Sequence, residues 1–387
     1  MAFDLDFSHF VLNLSNYEYF KTLTIHKLYM TKSLLFIPDI SGFTQFVQST
    51  EVEHSQHVIS ELLEILIEAN TENLELAEIE GDALFFYKEN DIPSQDKLLA
   101  LVEKMYTAFY SHLKVLGNNR ICPCNACAKA PNLQLKIVAH CGDLQFIKVQ
   151  GKRKPFGEAV IEAHRLLKNS VDSDNYFLLS KCIADLVKVR QDLNSELYNF
   201  NSGNDNYDGR NIEYLYAKID VSKLQLLPYE IPKKVKMNKE PNLVFEKEFP
   251  VSTEALLEHI TNYKFRHLWA DGVEEFKYKH NEVTRLGSEH VCVIGGKQLE
   301  FTTVTKEGNP DEIIYGELTK SPSPLDELYQ FYIIKSLGKN KSHLKLELFW
   351  FANNPIKTLL VKLFAKKQFK KSINSALNKL HSFLKNN

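Results

Sequence analysis

Residues 33–44 read Ser-Leu-Leu-Phe-Ile-Pro-Asp-Ile-Ser-Gly-Phe-Thr. The apolar run 33–37 predicts a buried strand, and Pro38 to Thr44 predict a turn that follows it. Working outward, Ile59, Leu62, Leu63, Leu66 and Ile67 fall at helical spacing, which predicts an amphipathic helix over 51–70. Residues 74–79 and 83–87 predict two strands around Glu80-Gly81-Asp82, and 98–116 a second amphipathic helix. Residues 133–139 predict a strand, with 144–149 pairing back onto it across Cys141-Gly142-Asp143. Residues 159–169 read as helix and 214–219 as a late strand. This order predicts an α+β layer in which helices cover one sheet. Asp39 then ends one strand, and Asp82 sits at a hairpin tip beside it. Two carboxylates on adjacent strand ends, with the Ile40 carbonyl, could hold one or two hard divalent cations and clamp a triphosphate. Ser41 and Gly42 would offer backbone N–H groups to its phosphates. By spacing alone, two such aspartates are more often plain turn residues.

Three sequence stretches carry a family resemblance. Residues 36–44 (FIPDISGFT) look like the first metal motif of class III nucleotide cyclases. Residues 78–83 (EIEGDA) resemble their second metal hairpin, and 156–166 (FGEAVIEAHRL) their later helix. The stretch 31–220 is thus similar to a ferredoxin-like nucleotide cyclase domain, of the type seen in a bacterial domain-of-unknown-function family. The resemblance implies Mg²⁺ or Mn²⁺ at Asp39, Ile40 and Asp82, and nucleotide contacts at Ser41, Gly42 and Phe43. It implies a transition-state role for Arg165. It places Glu78 and Lys154 at the base-reading positions, with Glu78 tilting the choice toward GTP. It also implies a homodimer in which one subunit supplies the metals and the other the arginine helix. One departure bears on turnover: Ile161 stands where an asparagine would orient the ribose, and isoleucine cannot hydrogen-bond. A metal-dependent nucleotide cyclase and a catalytically silent nucleotide- or lipid-binding module both follow from these residues.

The remainder organises around this first domain. Residues 1–30 lack the charged–apolar–small order of a signal peptide; either Met30 is the true start or 1–29 is a peripheral appendage. Pro228, Pro232, Pro241 and a lysine cluster predict a linker over 221–242. A second domain, 243–387, opens on a strand at 243–249. Ser252 is its helix N-cap, Glu254 lies in the first turn, and Val251 is placed to staple onto Leu256. Strands follow at 275–280, 289–294, 298–305, 312–319, 328–335 and 343–351, and a long helix opens at Asn354-Pro355. A sheet wrapped around one closing helix resembles the helix-grip, START-like fold, which implies a cavity for a hydrophobic small molecule or lipid. Trp269, Phe276, Phe301, Tyr315, Phe331, Tyr332 and Trp350 are candidate lining or plain core. A reading in which this domain handles lipid and the first regulates it stays open.

Cys122, Cys124 and Cys127 form C-x-C-x-x-C, which could hold Zn²⁺ with a fourth ligand such as Cys141, His112 or His140. The alternative is a reduced cysteine-rich loop. His54, His57 and Glu61 share one helix face, which could be a metal face but reads as the solvated side of an amphipathic helix. Cys182 and Cys292 read as buried thiols.

With 387 residues, 44% hydrophobic and 25% charged, the chain is globular and long enough for two or three domains. A formal net charge of −2 excludes a wholly basic nucleic-acid binder. No apolar run suits a transmembrane segment. Six unevenly spaced cysteines suit the cytoplasm. The charge is an average, however. Residues 355–387 carry eight lysines (Lys357, Lys362, Lys366, Lys367, Lys370, Lys371, Lys379 and Lys385) and no acid, leaving 39 basic against 49 acidic residues elsewhere. A solvated basic face, or contact of that helix with anionic lipid or with the acidic first domain, follows.

Overall fold

The computed structural model describes residues 32–50, 52–193, 195–229, 232, 234–279, 282–320, 322–355 and 366–386. The extension 1–30, Lys357, Lys362 and residues 356–365 of the expected closing helix lie outside the described residues. The chain divides into two compact units. The first takes in the chain up to Phe43, Leu62–Tyr110 and Leu133–Leu227; the second takes in Thr44–Glu61, Ser111–Asn132 and Pro228 onward.

In chain order the elements up to residue 218 are β1 (Lys32–Ser41), α1 (Phe43–Gln48), α2 (Val52–Glu68), β2 (Glu75–Glu80), β3 (Ala83–Lys88), α3 (Gln95–Asn118) and α4 (Asn125–Lys129). There follow β4 (Gln134–Asp143), β5 (Gln145–Val149), β6 (Lys152–Phe156), α5 (Glu158–Leu166), β7 (Tyr176–Ser180), α6 (Lys181–Val187), β8 (Phe200–Tyr207) and β9 (Arg210–Lys218). The first unit's sheet runs β2-β3-β1-β4-β7-β9-β8, with β4 and β7 parallel and the other pairs antiparallel. β1 is central, and Leu34 through Ile37 are fully buried, as an apolar run without alternation requires. Leu35, Ile37, Ala83 and Phe85 pack beneath Ala159 and Ala163 of α5. The buried hydroxyl of Tyr106 on α3 donates to the Leu135 and Tyr176 carbonyls, 2.9 and 2.6 Å away.

The expected pairing of 144–149 with 133–139 does not form. β4 runs straight through Cys141-Gly142-Asp143 against β1, with Gly142 opposite Ser33. β5 turns away and pairs with β6 as a separate ribbon, Ile147 opposite Lys154. The reason is steric as well as register-based. A Cβ on Gly142 would sit 2.5 Å from the Ala159 Cβ, so the glycine is where α5 closes on the sheet. Gly142→Ala should therefore cost about 1–3 kcal/mol through overpacking. Faster amide hydrogen exchange in β1 and β4 is the readout.

β6, β7, α6 and β8 are absent from the sequence expectation. β7 is short and wholly buried, so it carries no alternation to read. β8 is a mostly exposed edge strand of Asn, Ser, Gly and Asp, built by backbone pairing with β9.

The second unit adds β10 (Leu243–Phe249), α7 (Thr253–Thr261), α8 (Tyr263–Arg266), β11 (Glu275–Lys277), β12 (Glu289–Ile294), β13 (Lys297–Val304), β14 (Glu312–Lys320), β15 (Glu327–Gly338), β16 (Lys341–Phe351) and α9 (Lys366–Asn386). Its sheet is antiparallel throughout, in the order β10-β16-β15-β14-β13-β12-β11. The Ser252 hydroxyl accepts from the Ala255 N–H at 3.2 Å, so Ser252 does cap α7. α9 turns Leu377, Leu380 and Leu384 inward, and Phe369 stacks on Trp350 at 5.8 Å. Its Lys379 pairs with Asp271.

Candidate functional site

Asp39 and Asp82 are brought together in the first unit by strand register. Asp39 pairs across to Ala83 of β3, the residue after Asp82, and to Lys136 of β4. The Ile40 N–H donates to the Asp82 carbonyl at 3.1 Å. Gly81, at φ +68°, makes the tight turn that delivers Asp82. Burial, then the Asp39 charge, lifts the Asp82 carboxyl to about 6. Lys136, which the sequence reading missed, places Nζ 3.1 Å from the Asp39 carboxylate. A lysine set between the apolar Leu135 and Ile137 was the available signal. Among the described residues, the Ser41 hydroxyl is buried without a hydrogen-bond partner. Two crowded carboxylates that already hold one cationic group have the donor set of a hard-cation site.

The other expected residues are placed as follows. Gly42 turns the chain at φ +87°, and a Cβ on Gly81 would lie 3.9 Å from the Phe43 ring. Glu78 and Lys154 pair with each other, with Nζ–Oε distances of 2.9 and 3.0 Å. Arg165 pairs with Asp208, which lies just beyond β8. Ile161 is 54% exposed.

A second cluster, within the second unit, joins Cys122, Cys124 and Cys127 to His54. His54 Nδ1 lies 3.1, 3.5 and 3.7 Å from the sulfurs of Cys124, Cys122 and Cys127. Its Nε2 contacts Glu258 at 2.7 Å. The expected fourth ligands lie elsewhere: Cys141 lies 2.6 Å from Cys182, His112 meets Glu61 at 2.7 Å, and His140 bonds Ser180 at 2.8 Å. The helix face read as solvated is not so. Glu61 is buried, takes His112 and Arg285 as partners at 2.7 Å, and accepts from the Val283 N–H at 2.9 Å. Sequence periodicity places a histidine on a face but does not say what faces it. Cys182 is likewise no inert thiol: its neighbour Cys141, and Lys32, bring it down to about 6 against the opposing effect of burial.

The second unit also holds a cleft of about 140 Å³ between the sheet and α9. Trp269, Phe276, Phe301 and Tyr332 line it, as the sequence allows. Tyr315 instead bonds Glu317 at 2.5 Å, and Phe331 packs with Ile333 and Phe349. Two residues the sequence reading missed form the cleft's buried polar wall. Arg266 and Glu317 make a two-pronged ion pair, and Tyr332 adds a 3.3 Å contact to the guanidinium. Burial opposes the Glu317 charge, but Arg266 overrides it and holds the carboxyl low.

His290, behind this wall, bonds the Tyr263 hydroxyl at 2.8 Å, and burial pushes its pKa down to about 4. A histidine held neutral costs nothing at pH 7. Below its ordinary pKa of about 6.5 the unfolded chain takes up a proton that the folded chain refuses. The His290 contribution to the second unit's stability should fall as pH drops from about 6.5 to 4, by up to about 3 kcal/mol, while Asp82, lifted to about 6, acts in the opposite sense in the first unit. Denaturant midpoints measured across that range check this, and His290→Gln should flatten the profile.

The mixed α/β chain has nucleotide-cyclase-like structural neighbours. The adenylyl cyclase CyaB from P. aeruginosa is 17% identical, covering 49% of this chain and 94% of that one, with a TM-score of 0.37. The guanylate cyclase domain of RhGC from Catenaria anguillulae, solved in complex with GTP, is 12% identical, covering 49% and 97%, with a TM-score of 0.36. At these scores the likenesses carry no argument of their own. A family model described as "Protein of unknown function (DUF2652)" matches residues 59–176. The uncharacterized protein Rv2561/Rv2562 of Mycobacterium tuberculosis is 30% identical over 132 residues, 33% of this chain. The match spans 60% of that relative's length. Among the described residues, no helix is long and apolar enough to cross a membrane.

Proposed function

We propose that the first unit binds a nucleoside triphosphate through Mg²⁺ or Mn²⁺ at Asp39 and Asp82. The observation that carries this is the pair of crowded carboxylates, one lifted to about 6, already neutralised in part by Lys136. The Ile40 carbonyl and the unpartnered Ser41 hydroxyl are the further oxygens at hand. A bound divalent ion would neutralise triphosphate charge and polarise the reacting phosphoryl oxygen. Asp39 and Asp82 hold it, and Glu78, with Lys154 beside it, meets the base with a preference for guanine. Leu76, Ile79, Ile147, Val149, Phe156 and Ile161 are all large apolar side chains left at least 40% exposed on the first unit. That exposure supports a second copy of the chain as partner, with Arg165 reaching the other copy's nucleotide once released from Asp208.

The exposed Ile161 favours a second reading, a module that binds nucleotide without turnover. No hydrogen bond from that side chain can orient a ribose. The deciding experiment incubates purified protein with each of the four nucleoside triphosphates and Mn²⁺ and reads cyclic product by mass spectrometry. Product above the Asp39→Ala level supports cyclisation. Binding without product supports the silent module, and neither binding nor product overturns the proposal. For the second unit, the cleft under α9 supports a START-like, helix-grip role with a hydrophobic ligand that regulates the first unit. A co-purifying lipid, sought by native mass spectrometry, tests it.

A further inference from the structure

We infer that His54, Cys122, Cys124 and Cys127 form a closed, structural Zn²⁺ site in the second unit, with Glu258 as the carboxylate that orients the histidine. Zn–S bonds of about 2.3 Å and Zn–N bonds of about 2.0 Å, at tetrahedral angles, separate N from S by about 3.5 Å and S from S by about 3.8 Å. His54 Nδ1 lies 3.1, 3.5 and 3.7 Å from the three sulfurs, and all four ligand atoms lie within 4.8 Å of one another. The spread is centred on what one tetrahedral ion requires.

The surroundings are built for thiolates. The Cys124 N–H points to the Cys122 sulfur at 3.5 Å, and the Cys127 N–H to the Cys124 sulfur at 3.4 Å. Such amide donors stabilise negative sulfur. Cys124 at the same time caps α4, so the turn that presents Cys127 is set by a ligand. On the far side of the imidazole, Nε2 meets Glu258 at 2.7 Å, and Glu258 in turn accepts from the Asn262 side chain at 2.6 Å. A carboxylate on the nitrogen opposite the ligating one fixes the tautomer and raises ligand basicity.

Three sulfurs and one nitrogen fill four positions, which leaves no open site for substrate and makes the role structural. The donors come from separate stretches of the second unit: α2, the loop before α4 together with α4 itself, and, through Glu258, α7. The ion would tie these stretches together. Soft donors select zinc over the hard Mg²⁺ or Mn²⁺ proposed for the first unit, so the two sites are chemically independent.

The test uses reduced, full-length protein. Metal analysis should find one zinc per chain. Cobalt substitution should give the strong visible bands of a tetrahedral ion with thiolate charge transfer in the near ultraviolet. Cys124→Ser should lose about a third of the charge-transfer intensity, one thiolate of three, and His54→Ala should shift the visible bands. Glu258→Gln should keep one equivalent but weaken affinity about 10- to 100-fold in a chelator competition. Where the ligand variants do not fold, the wild-type cobalt spectrum and Glu258→Gln decide the matter. A wild-type protein that takes up cobalt without thiolate bands, or takes up none, overturns the inference. So does a cobalt spectrum unchanged by His54→Ala.

Discussion

Glu317→Ala should destabilise the second unit by about 3–5 kcal/mol, the cost of leaving a buried charge without its partner. Arg266 and Glu317 are only 5% and 2% exposed, so water cannot rescue the guanidinium when the carboxylate is removed. Tyr315 and Tyr332 lose a bonding partner or its counter-charge in the same step. The pair's net worth is another matter, because burying both ions already costs desolvation. A double variant, Arg266→Leu with Glu317→Leu, should therefore recover most of the loss. Both tryptophans of the chain, Trp269 and Trp350, lie in this unit. Their fluorescence in a urea titration reports on it alone. A single variant within about 1 kcal/mol of wild type would show the pair to be solvated.

Mn²⁺ binding by the first unit should respond to two neighbouring substitutions with opposite signs. Asp39→Asn removes a negative ligand and should weaken binding by more than about 100-fold, since even outer-shell partners are worth about 10- to 100-fold. Lys136→Met removes the cationic group now on Asp39 and should strengthen binding. At an effective dielectric near 20, unit charges about 4 Å apart interact by about 4 kcal/mol, and solvent screening leaves a fraction of that. Roughly tenfold, or about 1.4 kcal/mol, is expected. Electron paramagnetic resonance of free Mn²⁺, titrated with and without GTP, measures both. If Lys136→Met weakens binding as Asp39→Asn does, lysine is part of the site rather than its competitor.

The local elements were legible from residue order. The apolar run of β1, the helical spacing of α2 and α3, the Ser252 cap and the alternation along β16 are short-range patterns, and each sets its own backbone. The aspartate pair was legible as well, because one strand end and one hairpin tip deliver it. The edge strand β8 was not, since between Phe200 and Tyr207 it is Asn, Ser, Gly and Asp, with no apolar alternation to read.

What only the tertiary structure decided are the partnerships between distant side chains. The cysteine loop announced three ligands, yet its histidine neighbour comes from α2, some 70 residues earlier in the chain (|i−j| = 68 to Cys122). Lys136 beside Asp39, and Arg266 against Glu317, are likewise juxtapositions across a sheet or between a helix and a sheet. The sequence by itself determines which faces each element has, because backbone periodicity is local. Which face meets which depends on packing summed over the whole chain, and that is where this protein's candidate metal chemistry is assembled.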